Sequence, residues 1–130
     1  MEGGVTLTPT VAGVLLEDGV ESIGFGEFIE LPDRTLIISR LLEPTPKDVA
    51  AGEDAYALVD ENGGAVYSPF RSVRLDADVL DATLTDEAQE QLGLPERLVF
   101  QLRQLDSEVT ASVALGLTRV ITDLVSGREA

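Results

Sequence analysis

Over its first two thirds the chain alternates apolar and polar residues with a period of two, which is the pattern of strands that bury one face. Val5, Leu7, Val11 and Leu15 share one parity, with Thr6, Thr8 and Thr10 on the other, so a half-buried strand is expected here. Pro9 has no N–H to give to a ladder, which places that strand at a sheet edge or gives it a bulge. Glu17-Asp18-Gly19 supplies a turn, and Ile23, Phe25, Ile29 and Leu31 then continue the period. After a turn at Leu31-Pro32-Asp33, the stretch from Thr35 to Leu42 is apolar on both faces, as a central strand should be.

Thr45-Pro46-Lys47-Asp48 opens a short helix: a threonine cap, proline at the first helical position and an acid three residues after the cap. Gly52 stops it. Two hairpins follow. Ala55 to Val59 and Ala65 to Tyr67 flank a turn with an Asn62-Gly63 step, while Val73 and Leu75 pair with Leu80, Ala82 and Leu84 around Asp76-Ala77-Asp78. Thr85 caps a helix near 86–92 with Asp86 and Glu87 in its first turn, Gly93 suits its C′ position, and Pro95 prevents continuation. Leu98, Phe100 and Leu102 alternate with Arg97, Val99, Gln101 and Arg103 in one more strand with a polar outer face. Asp106 or Ser107 then caps a helix with Val109, Val113, Leu117, Val120, Ile121 and Leu124 on one stripe, expected to run to about Val125 over roughly 30 Å. The expected architecture is α+β: an antiparallel-rich sheet of short strands, one short helix near 86–92, and a long C-terminal helix packed on one face.

Length adds that residues 1–130 suit one domain, with Ser126 to Ala130 as a tail. At 44% apolar residues the chain can build a full core, and it contains no run of the ~20 apolar residues a membrane-spanning helix needs. Met1-Glu2-Gly3-Gly4 does not open a secretory signal, and there is no cysteine for a disulfide framework, so the expected location is cytoplasmic.

Charge changes the picture most. Twenty-four acids face nine bases for a net −15, and no base precedes Arg34. Such a surface repels nucleic acid phosphates and anionic lipid, and it steers basic proteins inward. Acidity also serves solubility alone, so charge speaks more firmly against a nucleic acid ligand than for a basic partner.

The same composition removes most catalytic chemistry. With no histidine and no cysteine, imidazole bases, thiolate nucleophiles and most zinc or copper sites are absent. Lys47 is the sole lysine and has no serine motif nearby, and among 24 acids fortuitous carboxylate pairs carry no information. Asp76-Ala77-Asp78 with Asp81, and Asp60 with Asn62, lack the full calcium-loop pattern and read as turn acids. Gly24-Phe25-Gly26 begins like a dinucleotide fingerprint, but Ile29 stands where the third glycine belongs; it reads as a glycine-containing strand. Arg71 and Arg74 are too few for a nucleic acid patch, and Arg71 is expected to pair with nearby carboxylates. The chain is therefore expected to be no enzyme, to hold no metal or cofactor, and to act by binding.

An ordered series of segments gives that binding a context. It comprises Thr35-Leu36-Ile37-Ile38-Ser39-Arg40, then Gly52-Glu53-Asp54-Ala55-Tyr56-Ala57-Leu58-Val59, a Gly63-Gly64 turn and Tyr67. Val73-Arg74-Leu75, Leu84-Thr85-Asp86-Glu87-Ala88 and Leu92-Gly93-Leu94-Pro95 complete it. From Thr35 to Leu105 the sequence resembles the immunity protein 10 family of bacterial polymorphic toxin systems. It departs from that pattern after the second tyrosine, where the family has glycine and this chain has Ser68-Pro69-Phe70. The resemblance implies a protein made beside a secreted toxin and neutralising it in the producing cell by protein–protein binding. A cationic toxin would suit the charge.

Two other readings compete. A DNA mimic would carry carboxylates in rows at phosphate-like spacing, whereas these acids are dispersed. A stand-alone or assembly domain would use its acidity for solubility and could self-associate through an exposed strand edge. For partner contacts the hairpin acids Asp54, Asp60, Glu61, Asp76, Asp78 and Asp81 are the choice, with Tyr56 and Tyr67 as aromatic anchors or, alternatively, core-edge packing. Reversing Asp60 and Glu61 to lysine is expected to weaken toxin binding without lowering the melting temperature. Oligomeric state is not readable from the sequence.

Overall fold

In the computed structural model of the protein the described residues are 3–52, 55–121 and 124–126, with Val125 and Ser126 described by backbone alone. The strands build two sheets where the sequence pattern suggests one. The first contains β1 (Gly4–Leu7), β7 (Phe70–Asp76), β8 (Val79–Leu84), β9 (Arg97–Gln101) and β10 (Val125–Ser126), in spatial order β1-β9-β8-β7-β10. The second contains β2 (Val11–Glu17), β3 (Val20–Gly26), β4 (Thr35–Leu41), β5 (Ala57–Asp60) and β6 (Ala65–Tyr67), in sequence order. All pairs are antiparallel except β1 with β9 and β10 with β7, which are parallel.

The core lies between the sheets. Val73, Leu80, Leu98 and Phe100 of the first are buried with Ile23, Phe25, Leu36, Ile38 and Leu58 of the second. Phe100 stacks on Phe25 at 4.8 Å and on Phe28 at 5.9 Å between ring centroids, which joins the layers with geometry that offset aromatic pairs favour.

The chain passes from one sheet to the other at Pro9. Thr8 and Pro9 are buried in the crossing, where Thr8 donates from its N–H (2.6 Å) and its hydroxyl (2.7 Å) to the Glu30 carboxylate. The expected single strand through Val5, Leu7, Val11 and Leu15 is therefore two strands of opposite phase. Ala12 and Val14 pack against the core, while Val11 is 51% and Leu15 57% exposed. Proline's missing N–H ends one ladder there and frees the chain to start another. A second phase shift follows β3. Glu27 takes φ 49°, so Phe28 turns inward and Ile29 and Leu31, expected on the core face, are exposed.

The helices follow their caps. In α1 (Pro46–Ala50) the Thr45 hydroxyl accepts from the Asp48 N–H (3.2 Å) and the Asp48 carboxylate accepts from the Thr45 N–H (2.8 Å). Thr85 caps α2 (Asp86–Leu92), which ends at Gly93 with φ 64°. Asp106 caps α3 (Ser107–Val120), which lies against β2, β3 and β4. Its 14 residues give a length of about 21 Å, shorter than expected. Ile121 is buried in an extended conformation, and Val125–Ser126 joins the first sheet beside Arg74 and Leu75 instead of prolonging the helix or the tail. Residues 127–130 of the expected tail lie outside the described residues.

Candidate partner-binding surface

The acids and tyrosines chosen from the sequence separate into two places. Asp60 closes the β5–β6 turn: its Oδ1 accepts from the N–H groups of Asn62 (3.0 Å) and Gly64 (2.9 Å). Glu61 reaches back to the start of β4, where Oε1 accepts from the Thr35 N–H at 3.0 Å and lies 3.3 Å from Arg34 Nε. The Thr35 N–H above all, and the Arg34 guanidinium more weakly, hold the Glu61 carboxyl below the ordinary glutamate range, against an opposing effect of burial second only to the Thr35 bond. Both carboxylates satisfy backbone donors. Reversing them to lysine therefore removes turn and strand-end hydrogen bonds, and the melting temperature should fall where the sequence alone suggested no change.

Asp76, Asp78 and Asp81 sit on the other hairpin, in the first sheet. Asp81 grips Arg97 with both oxygens, 3.0 Å to Nε and 2.6 Å to Nη2, and this bond raises the Arg97 pKa. Asp76 is exposed, and the Asp78 carbonyl accepts from the Leu102 N–H at 2.8 Å. Tyr56 is only 3% exposed and its ring lies 5.8 Å from that of Phe70, so it packs in the core as the alternative reading had it. Tyr67 is 41% exposed. Asp54 lies outside the described residues.

The outward faces of the two sheets differ in kind. On the first, Thr6, Val99, Asp81 and Arg74 line up across the strands, with Gly4, Arg97, Thr83 and Ser72 beside them. It is a polar, ion-paired face of the sort expected against water. On the second, register aligns Val11, Gly26 and Thr35 in one row, and Gly13, Gly24, Ile37, Val59 and Ala65 in the next. A third row runs Leu15, Ser22, Ser39, Ala57 and Tyr67. This face is apolar or small almost throughout, and it lies opposite the side that Ile23 and Val14 turn toward α3. Val11, Leu15, Gly24, Pro32, Ile37 and Glu27 are among the residues lining a concavity of about 480 Å³ in it.

The sequence carries a signal for this surface that the hairpin acids do not share. Thr35 to Leu42 is apolar on both faces, which suggested cover on both sides. β4 is indeed the central strand of its sheet, but only its Leu36 and Ile38 face is buried fully; Ile37 looks outward into the concavity.

Among the described residues, no three or more acids converge to hold a metal ion, and no helix is long and apolar enough to cross a membrane. The two sheets thus present one polar and one apolar outer face. The family model of immunity protein 10 matches residues 9–110. The chain belongs to the immunity protein 10 family, whose members generally act by binding a toxin and not by catalysis. The match starts earlier than the Thr35–Leu105 resemblance and takes in β2 and β3. Comparison with curated proteins and with solved structures returns no match.

Proposed function

We propose that this protein protects the cell that makes it by binding a basic toxin in the cytoplasm and occluding it. Family membership supplies the toxin, and the single observation behind a basic one is the uncompensated charge. Of nine bases, Arg34, Arg71, Arg97 and Arg119 are already engaged by acids of the same chain. What remains outside those pairs is strongly one-signed, and a cationic protein, such as a nuclease that grips phosphates, would be drawn to it.

The test first looks for a basic toxin domain encoded in an adjoining open reading frame, whose absence would count against the proposal, and then measures its stopped-flow association with this protein when it carries an inactivating substitution. Raising salt from about 0.05 to about 0.5 M should slow association roughly tenfold or more, as screening shortens the steering field. An association rate indifferent to salt would remove the basic toxin from the proposal. Failure of the protein to rescue cells expressing the active toxin would remove the immunity function itself.

A further inference from the structure

On the outer face of β2, β3 and β4 the apolar side chains of Val11 and Leu15 are exposed, and among the described residues the glycines beside them have no internal reason to be there. Gly13 and Gly24 are cross-strand partners, and Gly26 sits one row away beside Val11. None of them has a positive φ, so the backbone does not demand glycine. Space does not demand it either. A Cβ on Gly13 would meet nothing within 4 Å, one on Gly24 would touch only Ile37 Cγ1 at 3.8 Å, and one on Gly26 only Thr35 Oγ1 at 3.9 Å. Gly116, by contrast, is packed so closely that its absence of a side chain is explained within the chain. Glycine inside a strand weakens it, and here the result is an open concavity walled by Val11, Leu15, Pro32 and Ile37.

The rim of that concavity is acidic. Glu27 lines it, Glu17 and Asp18 close the far end of β2, and the outward positions of β2, β3 and β4 carry no lysine or arginine. A second copy of the chain would set these carboxylates against themselves with no cation between them. A partner with an apolar cluster flanked by basic residues fits both the floor and the rim.

We infer that this face is where the toxin docks, seating an apolar cluster of the basic toxin between Leu15 and Ile37 over the glycines, with toxin lysines or arginines meeting Glu17, Asp18 and Glu27. The inference rests on the immunity reading above. The concavity spans β2, β3 and β4, and it ends before Ala57, which is already buried within the chain.

The test uses substitutions that fill the concavity without disturbing the fold. Gly13→Gln and Gly24→Gln are compared with Thr6→Gln on the polar face of the first sheet, each in the full chain. Titration calorimetry with the inactivated toxin domain of the adjoining open reading frame reads affinity, and thermal melts read folding. The expected result is a tenfold or greater loss of affinity for both glycine variants, a smaller loss for Gly24→Ala, and parental affinity for Thr6→Gln. Their melting temperatures should equal or exceed the parent's, so lost binding cannot be misfolding. Three outcomes overturn the inference and are distinguishable. If the parent protects cells and the glycine variants bind as tightly as it does, the docking face is wrong while the function stands. If light scattering shows a dimer that Gly24→Gln converts to monomer, the occupant is a second copy. If the parent itself does not protect, the immunity reading fails and this inference falls with it.

Discussion

Ser68 stands in left-handed backbone with φ 52° directly after the β6 strand, a region where Cβ crowds the following carbonyl. Its N–H donates to the Tyr56 carbonyl at 2.9 Å, which fixes the turn from the second sheet into β7. The turn needs positive φ, which glycine adopts without strain and serine does not. Ser68→Gly should stabilise the protein by about 0.5–1 kcal/mol, the relief of strain less the extra freedom of glycine in the unfolded chain. A denaturant melt with a lower midpoint for the variant would contradict this account.

Between elements, the contact that sets α3 against the second sheet depends on Gly116. A Cβ there would stand 3.1 Å from Ile23 Cγ1 and 3.2 Å from Val14 Cγ2, so the helix approaches the sheet only because that side chain is absent. Three residues on, Arg119 donates from Nε (2.9 Å) and Nη2 (2.6 Å) to a Glu21 carboxylate that is almost wholly buried. A buried carboxylate without such a partner is unfavourable, so the pair fixes the helix along its axis. Gly116→Val should destabilise by about 1–3 kcal/mol through overpacking, despite placing a side chain on a helical glycine. Urea denaturation checks it; a variant as stable as the parent would mean that helix and sheet can part without loss. This contact could not be read from the sequence. The apolar stripe of α3 announced a helix, but Gly116 looked like any glycine, and the stripe continued through Ile121 and Leu124. Ile121 is instead buried in an extended conformation and Leu124 is half-buried just before β10, because the edge of β7 offers backbone partners that a longer helix would forgo.

At the scale of the whole molecule the acids have two opposing effects, and pH separates them. The excess of carboxylates repels itself near neutrality, so mild acidification should relieve strain. Against this, Glu61 and Glu30 have pKa values lowered below 4.5. For Glu61 the Thr35 N–H is the main cause; for Glu30 burial opposes ionisation, but the hydroxyl and N–H of Thr8 outweigh it. A lowered folded-state pKa adds stability that is complete above the unfolded value and vanishes as pH falls through the folded one. Melting temperature should therefore drop below about pH 4.5. Glu61→Gln should melt lower than the parent at neutral pH and approach it near pH 3. A gap between the two curves that stays constant with pH would show that this carboxylate adds nothing through its charge.

The sequence by itself determined the local elements whose causes are local. The Thr45 and Thr85 caps, the Gly93 stop, the Asp18-Gly19 and Asn62-Gly63 turns and the alternation of β8 and β9 each depend on residues within a few positions of one another. The order of those segments was enough for the family resemblance. The tertiary structure alone decided what depends on distant partners. It divided the strands into two sheets by reversing phase at Pro9, ended α3 at Val120, and drew Asp60, Glu61 and Asp81 into hydrogen bonds and ion pairs that leave them less free than turn acids look. It also left one apolar sheet face open. Period-two alternation shows that a strand has two faces, but which face is covered depends on what the rest of the chain packs against it, and that is a property of three dimensions.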